Sequence, residues 1–520
     1  MKTKLFSRAL ALTLALLMLL PAIACGKGNE TNGGEPGDTT TAATTTAVTT
    51  APAGETTAPE GEDVATGITD DLPADLNYNG AVVTFLYREE LASDFWAEGL
   101  TGDLVNDAIF ESIASVEDRL NVDIQTVLRK GNDNDVRTEY NNHITNQIMA
   151  GDSTYDWTDA LINYGGTLAQ NGGFRNLLNV ENINLDKPWY IPNMEEDISI
   201  AGRLFFISGD ASLGYLKSAF CIYFNRDLAK NLNIEDMEAL ALDGKWTIEK
   251  VAQIAQQAAQ DLNGDGLYDL NDQLGFVSRD SNHPRGFIGS TGMQLLSRKE
   301  DGSHEYTFGS DRDHSVMTAL SDLQNNTPGS YFFGGSSTQS NLSNYNKISE
   351  MFISGKILMT TAEMDHVISC GYHGMTDEYG VLPYPKYEED QAEYRTLSRT
   401  THNCFLMPVT CKDSAMAGAV LEALGSSNYH TVMPAYFETA LKVKYSYDTT
   451  ASKIFDLIHD SMGMDFGYVY SNPLGSQPIT VYTNILKTIS SFSSAIKAQQ
   501  KVIAKQYDKL VETINDKCEE

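Results

Sequence analysis

Residues 261–272 read Asp-Leu-Asn-Gly-Asp-Gly-Leu-Tyr-Asp-Leu-Asn-Asp, with oxygen-bearing side chains at regular offsets. Asp261, Asn263, Asp265, Asp269 and Asp272 occupy loop positions one, three, five, nine and twelve. The Leu267 carbonyl falls at position seven and Gly266 at the sharp turn of position six. Hard oxygen donors in this order are what wraps a calcium ion. The four carboxylates would repel one another without a cation, and Asp272 stands where the longer Glu is usual. The expectation is a structural Ca2+ with no catalytic part; the competing reading is an Asn-Gly-Asp-Gly surface turn.

Other candidates for chemistry are thinner. His366, Cys370 and His373 fall at helical spacing, as zinc ligands do, but no fourth ligand accompanies them and Gly371 should end the helix. The adjacent acids Glu89 and Glu90 suggest a glycosidase pair only if a carboxylate separation supports it, and in a chain with 70 acids adjacency is expected by chance. Nucleophile-elbow, P-loop and dinucleotide-fold glycine signatures are absent from the sequence. The chain therefore reads as a binding protein rather than an enzyme.

Binding residues need elements to hold them. Residues 81–87 (Ala-Val-Val-Thr-Phe-Leu-Tyr) form an apolar run of the kind covered on both faces of a sheet. Val105, Ile109, Ile113, Val116 and Leu120 share one helical face, residues 122–128 alternate as a strand, and 139–149 return to helical spacing. Residues 157–162 make a third strand. This βαβαβ order predicts a mainly parallel sheet with helices on both faces. Ligands bind beyond the carboxyl ends of such strands, which points to loops at 87–96 and 163–166. A second α/β region begins near residues 204–207 and continues through 220–224. It includes a helix capped by Thr247, strands at 357–359 and 379–382, a further strand from Phe405 and a helix from Ser414. The tail over 481–514 has helical periodicity. Cys221, Cys370, Cys404, Cys411 and Cys518 show no framework spacing and read as buried thiols.

The start of the chain specifies a compartment. Lys2, Lys4 and Arg8 precede an apolar run over 9–20, too short to span a bilayer, and small residues lead up to Cys25; together these form an export signal. Residues 26–66 are rich in Thr, Gly, Ala and Pro and cannot bury enough surface to fold. As a flexible tether their typical reach is roughly 35 Å. The whole chain has 520 residues, 42% of them hydrophobic, and a net charge of −33. Such acidity argues against nucleic acid, which demands Lys and Arg to displace counterions.

Ala24-Cys25 resembles the lipobox of bacterial lipoproteins, whose cysteine is acylated, although Ala22 stands where Leu is usual. The 261–272 loop is similar to dockerin-type calcium loops. The body resembles the extracellular solute-binding protein family 1 of bacterial ABC importers, in its clostridial type. The resemblance rests on an ordered set of segments: 100–107, 116–122, 207–213, 244–247, 380–387, 433–438 and 441–445. It implies an α/β, type II periplasmic-binding-protein fold with two lobes, a hinge and an interlobe cleft. Lobe 1 is expected over about 75–205 plus 395–440, and lobe 2 over about 206–394 plus 441–520. Residues 1–24 are the signal peptide, 25–66 the lipidated cysteine and tether, and 67–520 the bilobal body.

It further implies a carbohydrate or similar polar solute, an ABC transporter permease as partner, and a lipid anchor on the outer face of a Gram-positive-type cell membrane. Aromatic faces and oxygen groups suit sugars, and the predicted loops offer Tyr87, Glu89, Glu90, Asp94 and Trp96, then Asn163 and Tyr164. Trp189, Asp210 and Tyr215 fall around the first crossing between lobes, and Glu363, Tyr384 and Arg399 in later loops. Trp246, just before a helix cap, reads as a packing residue. Three functions stay open: a receptor delivering a mono- or oligosaccharide to an importer, a receptor of the same fold for a peptide or other solute or for a sensor, and an extracellular carbohydrate-active enzyme.

Overall fold

Residues 81–88 form a central strand, as the apolar run over 81–87 predicts. The structure, a computed structural model, describes residues 68–335, 341–442 and 449–518. The export signal, Cys25, the tether and most of the 441–445 segment lie outside the described residues.

Strands β1 (Ala81–Arg88), β2 (Val122–Arg129) and β3 (Trp157–Leu161) belong to lobe 1. Lobe 2 carries β4 (Phe220–Asn225), β5 (Leu274–Ser278), the hairpin β6 (Leu296–Arg298) and β7 (His304–Tyr306), then β8 (Ser330–Phe332), β9 (Ile357–Glu363) and β10 (Tyr379–Leu382). Strand β11 (Asn403–Leu406) returns to lobe 1. The first sheet runs β2-β1-β3-β11, parallel except for β11, and the second runs β8-β5-β9-β4-β10, with β8, β5 and β9 parallel, β4 reversed, and β10 antiparallel to β4 and so running with the other three. The two sheets thus share one plan. Each has three parallel strands with the first in the middle, flanked by an antiparallel strand that enters next to a crossing.

Helix Leu104–Leu120 follows β1; Asp103 caps it by accepting from the Val105 and Asn106 amides, and Asn121 closes it in the left-handed region at φ 49°. Its Ile109, Ile113, Val116 and Leu120 are buried, as the spacing predicts. Thr247 caps Ile248–Ala258 as expected, and Trp246 is fully buried with its indole N–H on the Pro383 carbonyl at 2.9 Å.

Several elements differ from expectation. Residues 204–207 are buried but form no strand; Ile207 makes one isolated bridge to Phe405. Their hydrophobicity reflects passage through the core, not ladder pairing. Residues 163–166 lie on helix Ile162–Ala169 rather than in a loop. The tail breaks into Gln477–Lys487 and Phe492–Lys517, with Thr488 extended at φ −146°. The five cysteines of the body are free, and Cys370 is partly exposed rather than buried.

Among the described residues, three segments at the junction of the lobes, around 207–219, 395–405 and 461–464, hold one another. Residues on the first and second pair at Ile207–Phe405 and Ala219–Ser398, and the second pairs with the third at Thr396–Met462. Arg395 ties this junction to lobe 1 by donating to Asp197 at 2.7 Å and to the Met464 carbonyl.

Candidate binding cleft

The carboxyl ends of the strands converge on those crossings. Beyond β1, the Asp94 carbonyl accepts from the Leu213 amide; beyond β3, the Ile162 amide donates to His402. Beyond β9, the Met364 and Asp365 amides donate to Ala219 and Lys217. Segments from both lobes are therefore laced to the hinge, as strand-end binding requires.

On lobe 1, Arg88 at the end of β1 meets Asp159 inside β3, with Nε donating at 2.7 Å; the two side chains are 1% and 0% exposed. Tyr140 also donates to Asp159. Burial opposes the charge on each partner: it raises Asp159 despite Arg88, while on Arg88 it is outweighed by Asp159, Tyr140 and Tyr87 together, which hold the guanidinium above its usual value. Arg88 Nη2, Asn163 Oδ1 and His402 Nε2 are buried without a protein partner. Burial drives the His402 imidazole down to about 4, so the ring is neutral.

On lobe 2, Glu363 ends β9. Its Oε1 accepts from Arg399 at 2.8 Å and lies 3.6 Å from His283 Nε2. Burial opposes its charge, yet His283, Arg399 and His366 outweigh it and hold the carboxyl at about 2. Arg279, just past β5, donates to Ser349 Oγ at 2.9 Å and lies under the Tyr345 ring at 4.0 Å. Between the lobes, Lys217 reaches Asp94 at 2.6 Å and Asp365 at 3.5 Å. At the first crossing, Asp210 is fully buried and accepts from Tyr215 Oη at 2.6 Å and from His459 Nε2 at 3.3 Å.

His283, Glu363 and His366 place one ligand-type atom each within 4.8 Å of one another. Their protonation does not suit a cation. His366 Nδ1 accepts the Glu363 amide N–H at 3.2 Å, so the neutral ring carries its proton on Nε2, and Arg399 already occupies the Glu363 oxygen. The expected helical trio fares no better: helix His366–Ser369 stops at Gly371, φ 73°, and His373 Nδ1 bonds the Val367 carbonyl at 2.8 Å.

The sequence-predicted residues divide by burial. Glu89 and Glu90 are exposed, and Glu90 accepts from the Gly131 amide at 3.1 Å. Trp96, Asn163 and Tyr164 are half-buried, with Tyr164 5.4 Å from the Arg137 guanidinium. Asp94, Glu363 and Arg399 sit at the strand ends already described. Tyr87 is in the core, stacked on Phe95 and bonded to Ser212, because it belongs to β1 itself. Trp189, Asp210, Tyr215 and Tyr384 are buried too, in packing and hinge networks, which leaves no face for a solute. Sequence reading missed Lys217 and Tyr345, which are partly exposed, and Arg88, Asp159, Arg279 and His402, which are buried and support the strand ends from behind. A charge inside an apolar strand, such as Asp159 in Trp157–Leu161, is the signal that was available, since buried charges must be paired.

No protein-family model matches this sequence, and no curated protein matches it. Solved structures do. A cyclo/maltodextrin-binding protein complexed with maltotetraose aligns over 82% of this chain and 97% of its own at TM-score 0.54 and 11% identity. The maltose-binding periplasmic protein MalE of Listeria monocytogenes, in complex with maltose, aligns over 85% and 100% at 0.52 and 12%. UspC of M. tuberculosis aligns over 82% and 100% at 0.52 and 13%. The fold is that of the type II periplasmic binding proteins. The shared plan of the two sheets is the internal counterpart of that likeness, and the laced crossings are the hinge of the type II fold. No helix of the described residues is long and apolar enough to cross a membrane.

Proposed function

We propose that this protein is an extracellular, lipid-anchored solute receptor that captures a mono- or oligosaccharide between its lobes and passes it, chemically unchanged, to an ABC import permease. One observation carries the reading: strand ends of both lobes meet at the hinge, with Trp96 partly exposed past β1, Tyr164 past β3 beside the Arg137 guanidinium, and Tyr345 on the Arg279 guanidinium past β5. Rings cover the C–H faces of a sugar, and acids, amides and arginines take its hydroxyls. The maltotetraose and maltose in the similar structures agree with this chemistry. A thermal-shift panel of mono- and oligosaccharides, with maltotetraose among them, tests it. One or a few saccharides should raise the melting temperature with no product formed, and Trp96→Ala should abolish the shift. A flat panel, or turnover of any member, contradicts the reading.

We also propose a structural Ca2+ in the 261–272 loop. Asp261 accepts from the Gly264 and Gly266 amides at 2.6 and 2.9 Å, Asn263 from Asp265 at 2.8 Å, and Asp265 from Leu267 at 2.8 Å. Asp272, fully buried, accepts from Leu262 and Asp269 at 3.0 and 2.9 Å. These bonds tie the side chains to the backbone of their own loop, and the proposal rests on the donor order at positions one, three, five, seven, nine and twelve. Chelator should lower the melting temperature and added Ca2+ restore it, whereas Asp261→Asn/Asp265→Asn should be insensitive to both. Equal melting of the unsubstituted protein with and without chelator contradicts the site.

A further inference from the structure

We infer that the C-terminal helix, Phe492–Lys517, is a strut that sets the angle between the lobes. Its 26 residues span about 39 Å at ~1.5 Å per residue. Most of its length is fixed to lobe 2. Phe492 packs on Phe308 and His314, with ring centroids 6.0 and 4.8 Å apart, and Tyr507 Oη accepts from the His304 amide at 2.8 Å. Ile503, Leu510 and Ile514 are buried along the same helix.

The last turn leaves lobe 2 and lands on lobe 1. There Asn515 Oδ1 accepts from Arg203 at 3.1 Å and Cys518 Sγ donates to the Ala169 carbonyl at 3.4 Å. Lys517 lies so close to Gly172, φ +80°, that a Cβ on that glycine would stand 2.5 Å from the Lys517 carbonyl oxygen. Just before this landing a groove of about 440 Å3 lies among the 201–202 turn of lobe 1, the β6–β7 hairpin of lobe 2 and the helix. The groove flanks one side of the final turn, while Ile514 and Cys518 are buried on its other side.

A rigid rod anchored on both lobes resists rotation between them, because rotation changes the distance between its anchors; its Tyr507 also rests on Phe466, just past the third crossing, at 5.8 Å. The two anchors are unequal. The lobe 2 end is held by a run of buried side chains, the lobe 1 end by two hydrogen bonds and one close backbone approach. The lobe 1 landing is thus where the strut releases when the hinge moves.

Spin labels at Met149→Cys on lobe 1 and Leu342→Cys on lobe 2, both exposed positions, report the interlobe distance in the solute-free chain from residue 25. A Cys25→Ser/Cys370→Ser background removes competing thiols. The parent should give one narrow distribution. Arg203→Ala/Asn515→Ala, and separately Gly172→Ala, should broaden it and shift it to longer distance. Unchanged distributions in both would overturn the strut. Should Gly172→Ala fail to fold, since it also strains a positive-φ position, the double variant alone decides.

Discussion

Two buried charges make opposite demands on pH. Glu363 is held at about 2, below its usual 4.5: burial opposes the charge, but His283, Arg399 and His366 outweigh it. A depressed carboxyl stabilises the fold above its unfolded value and loses that contribution as pH falls through the folded one. The Glu363 contribution should therefore be complete above about pH 4.5 and gone near pH 2. Melting curves of Glu363→Gln should show a lower melting temperature at pH 7 and a smaller loss between those limits than the parent. Because the substitution leaves Arg399, about a third exposed, without its partner, the cost at neutral pH should be about 1–3 kcal/mol. His459 behaves in the reverse sense. Burial opposes its charge, but Asp210 and Asp460 raise it from 6.5 to about 10. Its contribution should be complete below pH 6.5 and lost as pH rises through about 10, so His459→Gln should lose less stability over that interval than the parent. Equal pH slopes in variant and parent would show that neither pair is coupled to folding.

At the scale of elements, close approach matters as much as hydrophobicity. Gly275 in β5 lies against helix Ile248–Ala258 so tightly that a Cβ would stand 2.1 Å from the Ala255 carbonyl oxygen. Backbone cannot yield as a side-chain end does. Gly275→Ala should therefore destabilise by about 1–3 kcal/mol, read as a lower denaturant midpoint with unchanged slope. Two elements were legible in sequence: 104–120 by its helical stripe, which marks one buried face, and 81–87 by its largely apolar run, which marks a strand inside a sheet. The crossings were not. Residues 204–207 are as apolar as a strand yet pass through the core without a ladder, and periodicity cannot separate the two. Tyr87 illustrates the same limit, since a strand buried on both faces has no alternation to show which way a ring points. The polar groups of the cleft were legible only in part. Glu363 and Arg399 stood out as loop charges, but Arg88 and Asp159 are 71 positions apart and meet only through the β1–β3 pairing.

The whole molecule repeats one sheet plan on either side of three mutually paired crossings, with Lys217 between an acid from each lobe. Capture between lobes makes a demand that binding on one lobe does not. The segments past β1 and β3 and those past β5 and β9 must respond to the same solute together. Hydrogen–deuterium exchange with and without the saccharide that gives the largest thermal shift, beginning with maltotetraose, reads this directly. Residues 89–96 and 162–169 on lobe 1, 279–285 and 363–369 on lobe 2, and the 396–403 crossing should all become protected together. Protection confined to one lobe, or none in either, would contradict it.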